Sequence, residues 1–133
     1  MKRILVAYDG GDPAKRALDT AIELARAFHA SVDVVSVVPY HPGRSPVDPW
    51  DDRELHATEL LEAKERLVAA GLTPQLYEPA GDPAKTIELI ASEHEYDTIV
   101  LGSRGLSALE RVLQGSVSEH VVTHSGATVI VTH

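Results

Sequence analysis

The chain has no cysteine. Disulfides, thiolate nucleophiles and cysteine metal sites are therefore excluded, and the fold has to be held by its own core. That suits a reducing compartment. Positive charge is also scarce: Lys and Arg number 12 against 20 Asp and Glu, a formal net charge of -8. A protein that binds DNA or RNA through counterion release leans the other way, and an anionic membrane surface is disfavoured for the same reason. No stretch approaches the ~18 apolar residues of a membrane helix. The first apolar run, Ile4 to Tyr8, is too short for a signal peptide and meets Asp9 at once. The expectation is a cytoplasmic protein with neither nucleic acid nor membrane as partner. Any phosphate-bearing ligand would have to be held by local geometry.

What is present is enough for one domain spanning residues 1–133, with 44% apolar residues to build a core. Short runs rich in Val and Ile occur at Ile4 to Tyr8, Val32 to Val38, Gln75 to Tyr77, Thr98 to Leu101 and Thr128 to Val131. Most show little polar alternation, the mark of strands buried on both faces. Between them lie segments of helical period. Residues 12–29 carry Ala14, Ala17, Leu18, Ala21, Leu24, Ala25 and Phe28 on one stripe, and residues 51–70 carry Leu60, Leu61, Leu67 and Val68, with Gly71 as a stop. Residues 83–94 place Ala84, Ile87, Ile90 and Ala91 together, and residues 116–124 carry Val117, Val121 and Val122. Strands alternating with helices argue an α/β doubly wound sheet.

One pentapeptide occurs twice, as Gly11-Asp12-Pro13-Ala14-Lys15 and Gly81-Asp82-Pro83-Ala84-Lys85. Asp is a good N-cap and Pro suits the first helical position, so both copies read as helix starts; an internal duplication is the alternative. Asp51-Asp52 is read as the cap of the second helix. Residues 39–50 hold Pro39, Pro42, Pro46 and Pro49 with Gly43 and Trp50, and read as a long loop: a lid or interaction site, or a plain connection.

The sharpest local signal follows the fourth strand. Gly102-Ser103-Arg104-Gly105 is followed nine residues later by Gly115-Ser116, the pattern G-x2-G-x9-G-[ST]. Glycines let the backbone turn tightly and approach an anion without a Cβ in the way. Their N–H groups then form a concave nest, and a helix opening at Gly115-Ser116 adds its unbonded N–H groups and dipole. Ser116 and Ser118 can add hydroxyl donors. The alternative is a loop with turn glycines and a capping serine.

With these residues the chain resembles the universal stress proteins, in their ATP-binding branch. The resemblance is carried by Val6-Ala7-Tyr8-Asp9-Gly10, Val35-Ser36-Val37-Val38, Gly81-Asp82-Pro83, the run Asp97 to Gly105, and Leu113 to Glu119. It implies an open five-stranded parallel sheet in the order 3-2-1-4-5 with helices on both faces, and a ligand crevice at the switch point between the first and fourth strands. It implies that Asp9 hydrogen-bonds a ribose, that the Val37 backbone reads an adenine edge, and that Ala7, Val38 and Leu101 line the base pocket. Gly102, Ser103, Arg104, Gly105, Gly115, Ser116, Val117 and Ser118 would form the ribose and phosphate cradle. The implied ligand is ATP, or AMP or ADP, with Mg²⁺ held through the phosphates. The implied function is a stress-response module in which the nucleotide regulates conformation, assembly or partner binding. A weak ATPase and a dimeric scaffold that binds no nucleotide are the alternatives.

Two departures from the family stand out. Gly11 replaces a common serine, and Asp12 is expected to take over its capping. Thr128 replaces a common proline in the last strand, where family dimers pair, and is expected to restore an N–H to that edge. Other signals are weaker. Asp9-Gly10-Gly11-Asp12 lacks the serines of an ATP-pyrophosphatase loop. The G-x-G-x-x-G and G-x4-G-K-[ST] patterns are absent. The acidic cluster and the final lysine of a response-regulator receiver are not evident. His120 and His124 have ligand-capable spacing on a helix but no third ligand, so no metal site is expected. No base stands beside the cradle, so no catalytic residue is assigned and at most slow ATP hydrolysis is expected.

Overall fold

The computed structural model describes residues 1–39, 49–102 and 127–133 of the chain. The elements run β1 (Arg3–Ala7), α1 (Asp12–Phe28), β2 (Ser31–Val35), β3 (Val38–Pro39), α2 (Pro49–Ala69), β4 (Leu76–Tyr77), β5 (Ala80–Gly81), α3 (Pro83–Glu93), β6 (Thr98–Gly102) and β7 (Thr128–Thr132). The helix expected over 116–124 lies outside the described residues.

The main sheet has five strands in the order β4-β2-β1-β6-β7, every pairing parallel. Counted along the chain within that sheet, this is the expected 3-2-1-4-5. The chain leaves β1 toward β2 and β4 on one side, then crosses to β6 and β7 on the other. The two central strands are the most apolar because helices cover both their faces: Ile4, Leu5 and Val6 of β1 and all of β6 are buried. On one face Ile4, Val6, Val32, Val34 and Val100 pack against Ala17, Leu18 and Ala21 of α1 and Leu60, Ala63 and Leu67 of α2. On the other, Leu5, Val35, Ile99 and Leu101 meet Ile87, Ile90 and Ala91 of α3. A side chain such as Leu18 or Leu67, fully buried here, contributes about 1.5–3 kcal/mol relative to exposure.

The apolar stripes are narrower than the sequence suggests. Phe28, Leu61 and Val68 are 54%, 53% and 52% exposed. Period alone assigns them to a buried face, but the sheet covers only the arc of α2 that carries Leu60, Ala63 and Leu67. Helix α2 also begins at Pro49, so Asp51 and Asp52 stand inside its first turn instead of capping it, and Trp50 is helical. Proline tolerates that first position because its missing N–H has no intrahelical partner to lose. The supposed loop is thus shortened at both ends, by β3 and by α2; residues 40–48 lie outside the described residues.

The expected strand Val32 to Val38 is split. Ser36 donates to the Tyr77 carbonyl at 2.9 Å and Val38 to the Pro79 carbonyl at 2.8 Å. Between those two bonds the ladder needs an N–H from residue 79, and proline has none. The partner strand therefore breaks into β4 and β5, and β3 pairs separately with β5.

All three described helices end in one left-handed residue followed by one that packs at least partly into the core. Gly71 is at φ +85, and the Leu72 N–H returns to the Leu67 carbonyl at 3.0 Å. His29 at φ 55 and Glu95 at φ 57 do the same, with Ala30 bonded back to Ala25 and Tyr96 to Ala91. Only the first is a glycine. A non-glycine there costs about 1 kcal/mol, which burial of Ala30 and Tyr96 offsets. Tyr96 then donates its hydroxyl to the buried Asp33, whose other oxygen accepts from the Gln75 N–H at 2.7 Å. Burial, and after it the hydrogen bonds to Asp33 and Tyr77, push the Tyr96 hydroxyl well above the usual phenol range.

Candidate functional site

The carboxyl ends of β1 and β6 lie side by side, with Ala7 opposite Leu101. Beyond them the chain departs in different directions. The Tyr8 N–H still bonds the Val35 carbonyl at 2.9 Å, extending the ladder by one step. The exposed Asp9 then accepts the Gly11 N–H on Oδ1 at 2.9 Å, closing a tight turn around Gly10 at φ +79. A side chain at Gly10 would also strike Glu59: its Cβ would stand 3.0 Å from Cγ and 3.1 Å from Oε1.

Gly102 has a packing reason to be glycine. A Cβ there would lie 2.7 Å from the Ala14 nitrogen and 2.8 Å from the Pro13 carbonyl carbon. The start of α1 is pressed onto the end of β6, and the Thr132 hydroxyl fastens it further by donating to the Pro13 carbonyl at 2.9 Å. Any ribose or phosphate contact of Gly102 would therefore use its backbone. The expected cap at Asp12 is not observed. Gly11 is the N-cap, in extended backbone, with no side-chain cap bond, and Asp12 is the first helical residue.

The Val37 backbone faces away from the β4–β5 side. Ser36 and Val38 both donate toward the β4–β5 side, while the Val35 carbonyl faces β1. Extended backbone alternates, so the Val37 N–H and C=O face the β1 side, past the point where Tyr8 and Asp9 leave the sheet. Ala7 and Val38 are half-buried nearby in sequence register, and Leu101 is buried in the layer facing α3.

Carboxylates gather beside the Asp9 turn. Burial pushes the Glu59 carboxyl up to about 7, helped by the charges of Asp9 and then Glu62. The Tyr8 hydroxyl donates to Glu62 at 3.3 Å. Burial, then the Glu62 charge and this hydrogen bond, push it up to about 12, with Arg66 opposing. Lys15 stands 3.7 Å from Glu62 in a half-exposed pair of the kind worth about 0–1 kcal/mol. Arg66 is joined to Asp19. Glu59 was not among the expected site residues. It approaches Asp9 only because α2 packs over β2, next to β1, and no spacing in the chain encodes that.

The Thr128 expectation is overturned. Its N–H donates to the Asp97 carbonyl at 3.0 Å, toward β6, so it adds nothing to the far edge of β7, the last strand of the described sheet. Alternation turns the N–H groups of Val129 and Val131 to that edge. Of the sequence-derived site, Ala7, Asp9, Val37, Val38, Leu101 and Gly102 lie at or just past the carboxyl ends of β1, β2 and β6, with Ala7 opposite Leu101. Ser103, Arg104, Gly105, Gly115, Ser116, Val117, Ser118, and with them His120 and His124, lie outside the described residues. Among the described residues no cluster of three His, Asp or Glu is arranged to hold a metal, and no helix is long and apolar enough to cross a membrane.

The sequence profile of the universal stress protein family matches residues 1–133. The chain belongs to the universal stress protein family. It is 30% identical to the universal stress protein YxiE of Bacillus subtilis, over 97% of both chains. Among solved structures, a universal stress protein in complex with cAMP is 31% identical, covering 99% of this chain and 96% of its own, with a TM-score of 0.74. The universal stress protein of Archaeoglobus fulgidus in complex with dAMP is 26% identical, covering 100% and 98%, with a TM-score of 0.77. This universal stress protein shares their fold, and its Asp9 and Gly102 stand at the carboxyl ends of the neighbouring strands β1 and β6.

Proposed function

We propose that this universal stress protein binds an adenine nucleotide, ATP foremost, in the crevice past the carboxyl ends of β1 and β6, and that occupancy regulates its conformation, assembly or partners. The observation that carries the reading is the juxtaposition of the exposed Asp9 carboxylate, the inward-facing Val37 peptide and the Gly102 backbone at one switch point. Relatives in complex with cAMP and dAMP support it. Asp9 accepts from the ribose hydroxyls, the Val37 backbone meets the adenine edge, and Ala7, Val38 and Leu101 line the base. Gly102, Ser103, Arg104 and Gly105 continue into the phosphate cradle, completed by Gly115, Ser116, Val117 and Ser118. Mg²⁺ accompanies the triphosphate through its phosphates, since that ion keeps several waters and uses few protein ligands. Backbone N–H groups supply the positive potential that a chain of net charge -8 lacks. A cytoplasmic homodimer joined at the open edge of β7 fits the same reading.

The test is equilibrium ATP binding to the purified protein. Asp9→Ala and the pair Gly115→Ala with Ser116→Ala are each expected to weaken ATP at least about tenfold, the loss of one charged hydrogen bond or its equivalent. Unchanged affinity in both variants overturns the site.

A further inference from the structure

Asp9 is joined to α1 by two glycines. Gly10 stands at φ +79, and Gly11 is an N-cap with no side-chain cap bond. Glycine gives the backbone its widest freedom, so this link has little rigidity of its own. Yet the link holds the Asp9 carboxylate, whose Oδ1 accepts the Gly11 N–H at 2.9 Å. Where that carboxylate stands therefore depends on where α1 begins.

The beginning of α1 is fixed from the sheet. Gly102 and Thr132 are paired in register at the ends of β6 and β7. Val100 and Ile130, two residues earlier in each strand, pack on the α1 side. Strand alternation turns residues 102 and 132 to that side as well. The bare Gly102 admits the backbone of Pro13 and Ala14, leaving no room for a Cβ. It has no side chain with which to bond the helix. Thr132 beside it supplies one: its hydroxyl donates to the Pro13 carbonyl at 2.9 Å, with the Leu101 carbonyl in reach at 3.2 Å. One helical turn on, Arg16 donates to the His133 carbonyl.

We propose that Thr132 is a positioning residue for the nucleotide: its hydroxyl locks the start of α1 to the end of the sheet, and α1 in turn holds the Asp9 carboxylate where the ribose hydroxyls meet it. The inference rests on the nucleotide reading above. Thr132 acts through Pro13, Gly11 and Asp9, not by touching the ligand.

The test is a double-mutant cycle on ATP affinity. Thr132→Val keeps the side-chain shape and removes the hydroxyl. With Asp9 intact it should raise the ATP dissociation constant about fivefold, the worth of one neutral hydrogen bond. Thr132→Ala, which cannot overpack, should give the same value. Thr132→Ser keeps the hydroxyl and should stay within about twofold of the wild type. In the Asp9→Ala background, Thr132→Val should change the constant by less than about twofold, because the group it positions is gone. Without nucleotide, the Gly11 amide proton resonance should shift in Thr132→Val as its bond to Asp9 loosens, and hold its place in Thr132→Ser. Wild-type affinity in Thr132→Val and Thr132→Ala, an equal loss in the Asp9→Ala background, an unmoved Gly11 resonance, or no recovery in Thr132→Ser overturns the positioning role and leaves the nucleotide reading standing. A wild type that binds no ATP overturns both.

Discussion

The two Gly-Asp-Pro-Ala-Lys segments are identical in sequence and different in structure. At residues 81–85 the aspartate caps α3: Asp82 is the N-cap in extended backbone, and its Oδ2 accepts the Lys85 N–H at 3.0 Å. At residues 11–15 the helix starts one residue earlier, Gly11 is the N-cap, and Asp12 is already helical. What differs is the surroundings. The first copy follows the central strand β1, its Gly11 N–H is taken by Asp9, and its proline carbonyl is held by Thr132. The bare Gly102 lets that turn sit directly on β6. The second copy follows the two-residue strand β5, in a separate two-stranded pairing. Local chemistry decides the helix start where tertiary contact is light, and packing overrides it where the start is wedged between strands.

Four substitutions would break or sharpen that contrast. The largest effect is expected for Gly102→Ala, which drives a methyl group into the backbone of Pro13 and Ala14. Denaturant unfolding should show a loss of about 2–3 kcal/mol. A loss under about 0.5 kcal/mol would mean α1 is not wedged. Next comes the pair of aspartates. Asp82→Ala should cost about 1 kcal/mol, the loss of a working cap. Asp12→Ala should cost only about 0.3 kcal/mol, the dipole interaction of an acidic first-turn residue. Equal losses in thermal unfolding would erase the difference between the copies. The smallest effect is a gain: Gly11→Ser places a hydroxyl at an N-cap already in extended backbone and should add about 0.3 kcal/mol.

The capping contrast recurs at the helix ends. Gly71 announces its left-handed turn because glycine alone enters that region without cost. His29 and Glu95 make the same turn unannounced, since their reward is the burial of Ala30 and Tyr96, a contact with the sheet. The strand break at Pro79 was implicit in the chain, but the residue opposite it, Ser36, lies between β2 and β3, far away in sequence. It becomes visible only once the register of β2 against β4 is known. The site divides the same way. Asp9 and Gly102 stand out because they end apolar runs in a family pattern, whereas Glu59 is one of many acidic residues on a helix surface until α2 is laid over β2, next to β1.

The sequence by itself determined the parallel α/β class, the five-strand order through its family pattern, and the strand ends that meet at the switch point. These follow from runs of apolar residues and from glycine, proline and aspartate, whose effects are local. Only the tertiary structure decided which arc of each helix is buried, which aspartate caps, where the Thr128 N–H points and which carboxyl stands over Asp9. Each of these depends on a neighbour distant in the chain, and no residue carries in its own chemistry the identity of the group that packing will set against it.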